Sequence, residues 1–477
     1  MWFKEECILF VHSSFYFVIF CYDAFIIFMI MNCKDFFAGK KILMMGLGIL
    51  GRGVNVAKFL VECGAELTIT DLKTEEQLAP SLKKLKKIPN IQYILGRHDL
   101  ADFSGKDMVI KAAGVPLDSI YIAEARKNNI SVEMDASLFA KLAEGVIVVG
   151  VTGTRGKSTV THLIYEIIKS SGKRVFLGGN VKGLATLPLL KKMKAGDIVV
   201  MELDSWQLQG FGEAQISPNI AVFTTFLPDH QNYYKNDMEK YFSDKANIYR
   251  WQKENDWLVA GPRTAKLIKE KYENGIKRQM VIADKKSIPR SWKVKLLGEH
   301  NLDNIALAIE ASRKLGIKES AIKKVVENFK GLPGRLEFIR EVGGVKYYND
   351  TTATTPEAVM VALDSLKENK GKIILIGGGA DKNLEYSKYA KVVKKYVKVL
   401  ILFKGLASSK IISALGKTKF PVEIADSMKK AMEIARANAK KGDIILLSPA
   451  AASFGVFKNE FDRGEQFDKE VKRIQTK

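Results

Sequence analysis

The sequence predicts an α/β protein of three domains: a Rossmann-like N-terminal domain, a central P-loop-type ATPase domain with a parallel sheet, and a C-terminal Rossmann-like α/β domain. Short apolar strands alternate with helical stretches along most of the chain, as in parallel sheets covered by helices. Glycine-rich turns follow two of these strands, at residues 46–51 and 153–159. A turn-rich GLPG segment at residues 331–334 precedes the last block.

Length and composition agree with this organisation. The chain has 477 residues, of which 47% are hydrophobic and 27% charged, so it is long enough for several buried cores. We expect an N-terminal extension and three domains, with boundaries at 1–31, 35–140, 141–331 and 332–477.

The charge balance is strongly basic, with a formal net charge of +22. Lysines are scattered through amphipathic stretches, which indicates solvated helix faces more than a nucleic-acid surface. A basic cleft for a polyanionic substrate remains an alternative. No cysteine follows Cys63 and none forms a CxxC pair, which favours a reducing cytoplasm over a disulfide framework.

The first 31 residues are unusually apolar and about long enough to span a membrane. They contain His12 and Asp23, which are costly at membrane depth, and they lack a signal-peptide cleavage site. Two interpretations stay open: a misassigned start codon, with a natural beginning near Met29 or Met31, or an anchor on the inner membrane face.

The first glycine turn, Gly46-Leu47-Gly48-Ile49-Leu50-Gly51, follows a short strand and opens a helix. A second strand ends at Asp71, twenty residues after Gly51. This strand–turn–helix–strand–acid arrangement is typical of a nucleotide-binding domain, in which a phosphate faces the helix N-terminus.

The second glycine turn predicts a variant ATP loop. Lys157 follows Gly156 directly and precedes Ser158 and Thr159, the arrangement in which backbone N–H groups, an ammonium and a hydroxyl serve phosphates and Mg²⁺. The usual pattern has a glycine five residues before Gly156, where this chain has Val151.

A phosphate loop of this kind needs metal ligands, and two candidates follow predicted strands. Glu202 ends one strand and His230 comes just after another. Ligands at the carboxyl ends of parallel strands converge on one edge of the sheet. From physics alone Lys245 would be a solvated helix lysine, because an ammonium cannot ligate a metal.

Taken together, the motifs resemble the Mur ligase family of ATP-dependent, amide-forming enzymes of peptidoglycan synthesis. Its motifs occur in family order from about residue 40 to the C-terminus. They are VTGTRGKST, GGN, MELDSWQL, LPDH, YFSDKANIY, GEHNLDNIALAI, GLPGRLE, YYNDTTATTPEA and LLSPAAASFGVFKNEFDRGEQF. Within the family, the GLG-type first domain, the ATT segment and SPAAASF resemble the branch that adds D-glutamate. The family loop is TGTxGKST, which explains Val151.

The resemblance implies a reaction and its setting. ATP would phosphorylate the alanine carboxylate of UDP-N-acetylmuramoyl-L-alanine, and the amine of D-glutamate would displace phosphate. Two Mg²⁺ ions would assist. The enzyme would act in cell wall biogenesis, and so in cell shape and division. We expect it in the cytoplasm as a monomer, with no nucleic acid and no obligatory protein partner.

The resemblance also implies roles for individual residues. Lys157, Glu202, His230 and Lys245 would be catalytic; Ser158, Glu202, His230 and a carbamylated Lys245 would form the metal site. The remaining expected contacts are with ATP (Thr152, Gly153, Thr154, Arg155, Gly156, Lys157, Ser158, Thr159, Asn304, Arg335, Asp350), with the UDP substrate (Gly46, Gly48, Ile49, Leu50, Asp71, Gly114, Asn180) and with D-glutamate (Thr354, Lys382, Ser453, Phe461).

The chain departs from the family pattern at three places. Arg155 replaces the usual asparagine in the ATP loop, and Thr352 replaces a common lysine. KNEFDRG shifts the aromatic residue by one position, which bears on Phe461. These departures affect amino-acid specificity more than reaction class.

Three alternatives stay open at this point. One is another Mur ligase or an enzyme similar to folylpolyglutamate synthetase. A second, from the first glycine turn alone, is an NAD-dependent oxidoreductase. A third, from the charge, is a nucleic-acid-binding protein.

Overall fold

The computed structural model describes residues 33–181, 183–272 and 279–475. These residues form two compact units. The first contains the described chain up to Thr152 together with residues 173–221 and 230–256. The second contains residues 153–172, 222–229 and the described chain from Trp257 onward.

The first unit begins with a doubly wound parallel sheet. Its five strands run in the order β3-β2-β1-β4-β5, all parallel. The central strands are buried because helices cover both faces, so they are continuous apolar runs. The elements are α1 (Cys33–Phe37), β1 (Lys41–Met45), α2 (Arg52–Glu62), β2 (Glu66–Asp71), α3 (Glu75–Leu85), β3 (Ile91–Leu95), β4 (Met108–Lys111), α4 (Ile120–Lys127), β5 (Ser131–Glu133) and α5 (Asp135–Leu142).

The middle block of the sequence continues the alternation of strands and helices. Within the first unit, β8 pairs in parallel with β6 on one side and β7 on the other. The elements are β6 (Ile147–Thr152), α6 (Lys157–Ser170), β7 (Val175–Gly179), β8 (Ile198–Glu202), α7 (Ser205–Glu213), β9 (Ile220–Phe223), α8 (Gln231–Tyr234) and α9 (Met238–Arg250). The apolar segments VIVVGVTG, RVFLGG, DIVVMELD and NIAVFTTF form these four strands.

In the second unit, α6 packs against α11 and α12, and β10 pairs in parallel with β11. Buried residues of α6 recur on one face, which is the amphipathic pattern that seats a helix. The elements are β10 (Trp257–Ala260), α10 (Pro262–Tyr272), β11 (Gln279–Ile282), α11 (Glu299–Lys314) and α12 (Glu319–Asn328).

The C-terminal block of the second unit is a six-stranded sheet in the order β12-β13-β17-β14-β15-β16. Separate hydrophobic cores cover its two faces. The elements are β12 (Glu337–Val342), β13 (Val345–Asn349), α13 (Pro356–Ser365), β14 (Ile373–Gly378), α14 (Ser387–Tyr396), β15 (Val397–Phe403), α15 (Leu406–Leu415), β16 (Val422–Ala425), α16 (Met428–Asn438), β17 (Ile444–Leu447) and α17 (Glu460–Lys472).

Strand β12 was not predicted. It pairs antiparallel with β13 at the edge of the sheet, whereas the other strand pairs of this sheet are parallel. Most of its residues are at least partly exposed, so the sequence EFIREV lacks the continuous apolar run that marks buried strands such as β14 and β17.

The apolar segment 1–31 lies outside the described residues. Among the described helices, none combines the length and the apolar character needed to cross a membrane.

Candidate active site

The ATP loop of the second unit has two glycines in left-handed backbone conformations. Gly153 has φ 136° and Gly156 has φ 88°. A Cβ at Gly153 would lie 2.0 Å from Thr224 Oγ1, and one at Gly156 would lie 2.3 Å from Asn304 Oδ1. Both positions therefore require glycine, for backbone conformation and for space. The glycine expected at 151 is not needed, because Val151 lies buried within strand β6.

Lys157 turns into this loop. Its Nζ donates to the carbonyl oxygens of Gly153 at 3.1 Å and Thr154 at 3.2 Å. Two hydrogen bonds anchor the loop to the segment after β9. Thr154 N donates to Thr225 O at 2.7 Å, and Thr154 Oγ1 donates to Leu227 O at 3.1 Å. The Lys157 ammonium therefore already lies at the loop to which a phosphate group would bind.

Other predicted nucleotide contacts surround α6. Arg335 Nη2 donates to Ser158 Oγ at 3.1 Å, and Asn304 Nδ2 donates to Asn301 Oδ1 at 3.1 Å. Asn301 and Asn304 therefore lie on one face of α11. Thr159 lies half-buried in the first turn of α6. In the first unit, the buried Thr152 donates from Oγ1 to Leu203 O at 2.7 Å.

Asp350 is buried behind the linker to the C-terminal block. Its Oδ1 accepts from Leu336 N at 3.0 Å, and its Oδ2 accepts from Ser448 Oγ at 2.7 Å. Burial raises the pKa of Asp350 to about 7, although both hydrogen bonds and the nearby Arg335 oppose this. The carboxyl group thus ties the linker to the end of β17.

Of the three catalytic candidates in the first unit, His230 and Lys245 lie beside the same aromatic ring. The Glu202 side chain is buried at the end of β8, opposite Val151 of β6. The His230 ring lies 4.7 Å from the Trp206 ring and 6.1 Å from the Tyr241 ring. Lys245 Nζ lies 4.9 Å from the centroid of the same Tyr241 ring. His230 and Lys245 therefore both border Tyr241.

The expectation of a solvated lysine at 245 is wrong. Lys245 is 1% exposed in α9, where it shares a buried face with Tyr241 and Tyr249. Lysine is almost never fully buried unless it is paired or has a chemical role, and a buried ammonium readily loses its proton.

The first glycine turn is closed by Asp71. Its Oδ2 accepts from Leu47 N at 2.9 Å and from Gly48 N at 3.0 Å, and its Oδ1 accepts from Lys73 N at 2.9 Å. The carboxylate thus occupies turn N–H groups that a phosphate would otherwise use. Ile49 and Leu50 beside it are exposed, at 53% and 67%. This geometry offers an apolar surface next to a fixed acid.

Asn180 approaches the same turn from the middle block. Arg52, the first residue of α2, donates from Nη2 to Asn180 Oδ1 at 3.0 Å and from Nε to Leu184 O at 3.2 Å. Both segments belong to the first unit, so the structure brings Asn180 to the start of the helix that follows Gly46 and Gly48. Gly114 is exposed, and no atom lies within 4 Å of the position that a Cβ would occupy.

In the C-terminal block, two of the four expected amino-acid contacts meet directly. Lys382 Nζ donates to Thr354 Oγ1 at 3.1 Å. Ser453 is buried in the segment after β17, and Phe461 is half-buried in the first turn of α17. Asn459 Oδ1 caps this helix by accepting from Phe461 N at 3.0 Å.

Sequence reasoning missed Arg463, which is fully buried. It donates from Nη2 to Thr351 O at 2.8 Å and from Nε to Thr351 Oγ1 at 3.1 Å, and Nη1 donates to Ala451 O at 3.3 Å. Burial lowers its pKa to about 10. It joins the two loops that carry Thr354 and Ser453. Phe467 and Val471 follow Arg463 by four and eight residues, so the three share one face of α17. This spacing could have indicated that Arg463 is buried.

Lys111 was also missed. It is 2% exposed, donates from Nζ to Val115 O at 2.9 Å, and has a pKa lowered by burial to about 8. It supports the segment that carries Gly114.

The residue types fit a magnesium site. Mg²⁺ prefers hard oxygen ligands and commonly takes one or two protein groups together with substrate phosphates. The buried Glu202 carboxylate of the first unit and the Ser158 hydroxyl of the second unit are each a donor of this kind. Among the described residues, no three acidic, histidine or cysteine side chains cluster as a metal-binding group.

The chain belongs to the Mur ligase family, a class of ligases. The model of the MurD-like N-terminal domain matches residues 40–133, that of the Mur ligase middle domain residues 151–287, and that of the glutamate ligase domain residues 334–451.

Among individual proteins, the chain is 37% identical to a UDP-N-acetylmuramoylalanine–D-glutamate ligase of Roseiflexus, over 90% of this chain and 98% of the relative. It is 36% identical to the ligase of the same name from Borreliella afzelii, over 90% and 97%. Among solved structures, MurF ligase of Thermotoga maritima, in complex with ADP, is similar with a TM-score of 0.58. The identity is 20%, over 93% of this chain and 97% of that one.

These findings confirm the predicted family, the three-domain α/β class and an amide-forming ligase. The domain boundaries and the role of each site residue stay predictions.

Proposed function

We propose that this chain adds D-glutamate to UDP-N-acetylmuramoyl-L-alanine at the expense of ATP, in the synthesis of peptidoglycan precursors. Two relatives named for that reaction, at 36–37% identity across nearly their full length, support the choice of substrates. Its place would be the cytoplasm, where it would act as a monomer.

One observation carries the ATP chemistry: the lysine that turns into a glycine loop. Lys157 Nζ donates hydrogen bonds to the carbonyl oxygens of Gly153 and Thr154, in a loop where two glycines have left-handed backbone conformations. The ammonium would exchange these carbonyl contacts for phosphate oxygens. This charge would offset the negative charge that develops as the terminal phosphoryl group moves. The ATP contacts expected from the sequence would complete the nucleotide site.

The two other substrates would contact different units of the chain. The exposed Ile49 and Leu50, held in place by the Asp71-closed turn, would contact the UDP moiety, with Gly114 and Asn180 nearby in the chain's first unit. Thr354 and Lys382 would hold D-glutamate, with Ser453 and Phe461. A lysine ammonium is a suitable partner for a carboxylate of the incoming amino acid.

Ser158 and Glu202 would hold one Mg²⁺ ion and His230 the other, with Lys245 as a carbamate supporting the site. When bound, the ions would screen the phosphate and carboxylate oxygens that otherwise repel one another. The Lys245 ammonium would first lose one proton, and the neutral amine would then add CO₂ and release a second proton, so that a carbamate anion replaces the cation.

The reaction would proceed in two steps. A carboxylate is a poor acyl donor because its oxygen is a poor leaving group, so this oxygen would first attack the γ-phosphorus of ATP, and ADP would leave. The amine of D-glutamate then attacks the acyl carbon, phosphate leaves with the C–O bond electrons, and the amine loses a proton. Water must be excluded from the acyl phosphate, since hydrolysis would waste it.

The test is phosphate release with omission of one component at a time. We expect release only with ATP, Mg²⁺, UDP-N-acetylmuramoyl-L-alanine and D-glutamate all present, and none for Lys157→Ala. A panel of amino acids and a folate acceptor separates this activity from sister ligases and folylpolyglutamate synthesis. Full turnover with L-lysine in place of D-glutamate would refute the assigned specificity.

A further inference from the structure

The two cations of the ATP loop point in different directions. Lys157 turns inward onto the carbonyl groups of its own loop. Arg155 is exposed and turns away, so that Nη2 reaches Thr355 Oγ1 at 3.4 Å. Thr355 is the N-cap residue of α13, on the segment that also carries Thr354. The guanidinium therefore lies on the amino-acid side of this unit.

The backbone fixes this direction. Arg155 N donates to Thr225 Oγ1 at 2.9 Å. Arg155 O accepts from Thr224 Oγ1 at 2.5 Å and from Thr225 Oγ1 at 3.2 Å. With the peptide groups on both sides of Arg155 anchored, the side chain leaves the loop on one side. These hydrogen bonds thus fix the point at which the Arg155 side chain leaves the loop.

A second cation lies beside it. Lys382 donates to Thr354 Oγ1, the hydroxyl adjacent in sequence to the one that Arg155 contacts. Desolvation lowers the pKa of Lys382, and the positive charges of Arg463 and Arg155 lower it further. Glu460 and Asp229 are the nearby carboxylates and raise it. Within the described chain, neither Arg155 nor Lys382 forms an ion pair with an acidic side chain.

The neighbouring threonines are committed elsewhere. Thr351 Oγ1 donates to Glu460 O at 2.7 Å, and Thr352 Oγ1 donates to Gly334 O at 2.9 Å. Thr352 stands where a lysine is common in the family, and because threonine is uncharged it adds no positive charge at this position. The two cations Arg155 and Lys382 lie beside the hydroxyls of Thr354 and Thr355, and two cations match an amino acid that carries two carboxylates.

We propose that Arg155 binds a carboxylate of the incoming amino acid, opposite Lys382, and so selects a dicarboxylic substrate. This inference rests on the proposed function and changes the role expected for Arg155, from the nucleotide to the amino acid. An arginine fork pairs with a carboxylate through two parallel N–H···O bonds, which adds orientation to charge. The same loop would then contact both ATP and the second substrate.

Steady-state kinetics of Arg155→Ala test this. We expect KM for D-glutamate to rise about tenfold or more, as for loss of a charge-assisted hydrogen bond, while KM for ATP changes less than about threefold. Arg155→Lys should recover part of the loss, because it keeps the charge without the fork. Arg290→Ala, an exposed arginine of the same unit, is the matched control and should match wild type.

D-Glutamine identifies the carboxylate involved. A smaller preference for D-glutamate over D-glutamine in Arg155→Ala assigns the side-chain carboxylate, and an equal rise for both assigns the α-carboxylate. An unchanged KM for D-glutamate, or a KM for ATP that rises as much, would overturn the inference. If wild type itself fails to use D-glutamate, the proposed function fails; if only the Arg155 result is negative, this inference alone fails. Equal thermal unfolding temperatures exclude misfolding.

Discussion

Asn304 of α11 lies directly against Gly156 of the ATP loop, so that a Cβ on the glycine would come within 2.3 Å of Asn304 Oδ1. Both residues belong to the second unit, and Gly156 has φ 88°. Helix α11, which packs on α6, thus limits which residue can stand at the N-cap of α6.

Gly156→Ala should therefore weaken ATP binding by about tenfold or more, through left-handed strain and displacement of Asn304. Isothermal titration with ATP measures this. Gly172→Ala is the matched control, because Gly172 follows the same helix with φ 82° and has no atom near its Cβ position. It should cost about 1 kcal/mol of stability but leave ATP affinity unchanged. Equal affinities for both variants would show that the Asn304 contact is unimportant.

The Asp71-closed turn predicts a stability effect. Asp71→Ala leaves three backbone N–H groups without their acceptor, which should cost about 1–3 kcal/mol and speed amide exchange at Leu47 and Gly48. Hydrogen exchange followed by mass spectrometry measures this. Glu66→Ala, exposed at the other end of the same strand, should leave exchange unchanged. Unaltered exchange in Asp71→Ala would mean that the carboxylate does not hold the turn.

The buried Asp350 predicts a pH dependence. Its folded pKa of about 7 lies above the ordinary value of 3.8. Because the folded state holds this proton more tightly, the stabilisation is complete below pH 3.8 and is lost as the pH rises to about 7. Asp350→Asn should remove this decline. The urea midpoint of the variant should therefore rise relative to that of wild type as the pH increases from 3.8 to about 7.

Asp303→Asn, exposed on α11, is the control for that series and should follow wild type throughout. Parallel curves for wild type and Asp350→Asn would contradict a raised pKa at Asp350.

The buried Lys245 predicts chemical rescue. Lys245→Ala should lose about 100-fold or more of activity, and short carboxylates such as acetate should restore part of it by entering the vacated space as an anion. Initial rates with and without acetate measure this. Lys240→Ala, exposed on the same helix, should be active and indifferent to acetate. Absence of rescue would leave carbamylation of Lys245 unsupported.

How far the sequence could predict this molecule depends on the range of each interaction. The strands of the middle block were predictable because they are continuous apolar runs between turn residues. Val151 and the loop glycines followed from the motif. The bonds from Asp71 to Leu47 and Gly48 did not, because they depend on the parallel register of β1 and β2, in which Met45 pairs with Thr70.

Burial of charged helix residues was harder to predict, although the signal existed. Lys245 lies four residues after Tyr241 and four before Tyr249, on the buried face of α9. Arg463 shares the buried face of α17 with Phe467 and Val471. Helical periodicity placed both on an apolar face, but their charge favoured solvent. The direction of Arg155 depends on Thr224 and Thr225, about 70 residues away in sequence, and no local pattern indicates it.

The central claim is that ATP activates the alanine carboxylate as an acyl phosphate, and oxygen transfer tests it most directly. UDP-N-acetylmuramoyl-L-alanine labelled with ¹⁸O in both carboxylate oxygens is turned over with ATP and D-glutamate, and the phosphate is analysed by mass spectrometry. We expect one ¹⁸O atom in each inorganic phosphate released by coupling. Unlabelled phosphate, or label recovered in AMP, would contradict the mechanism.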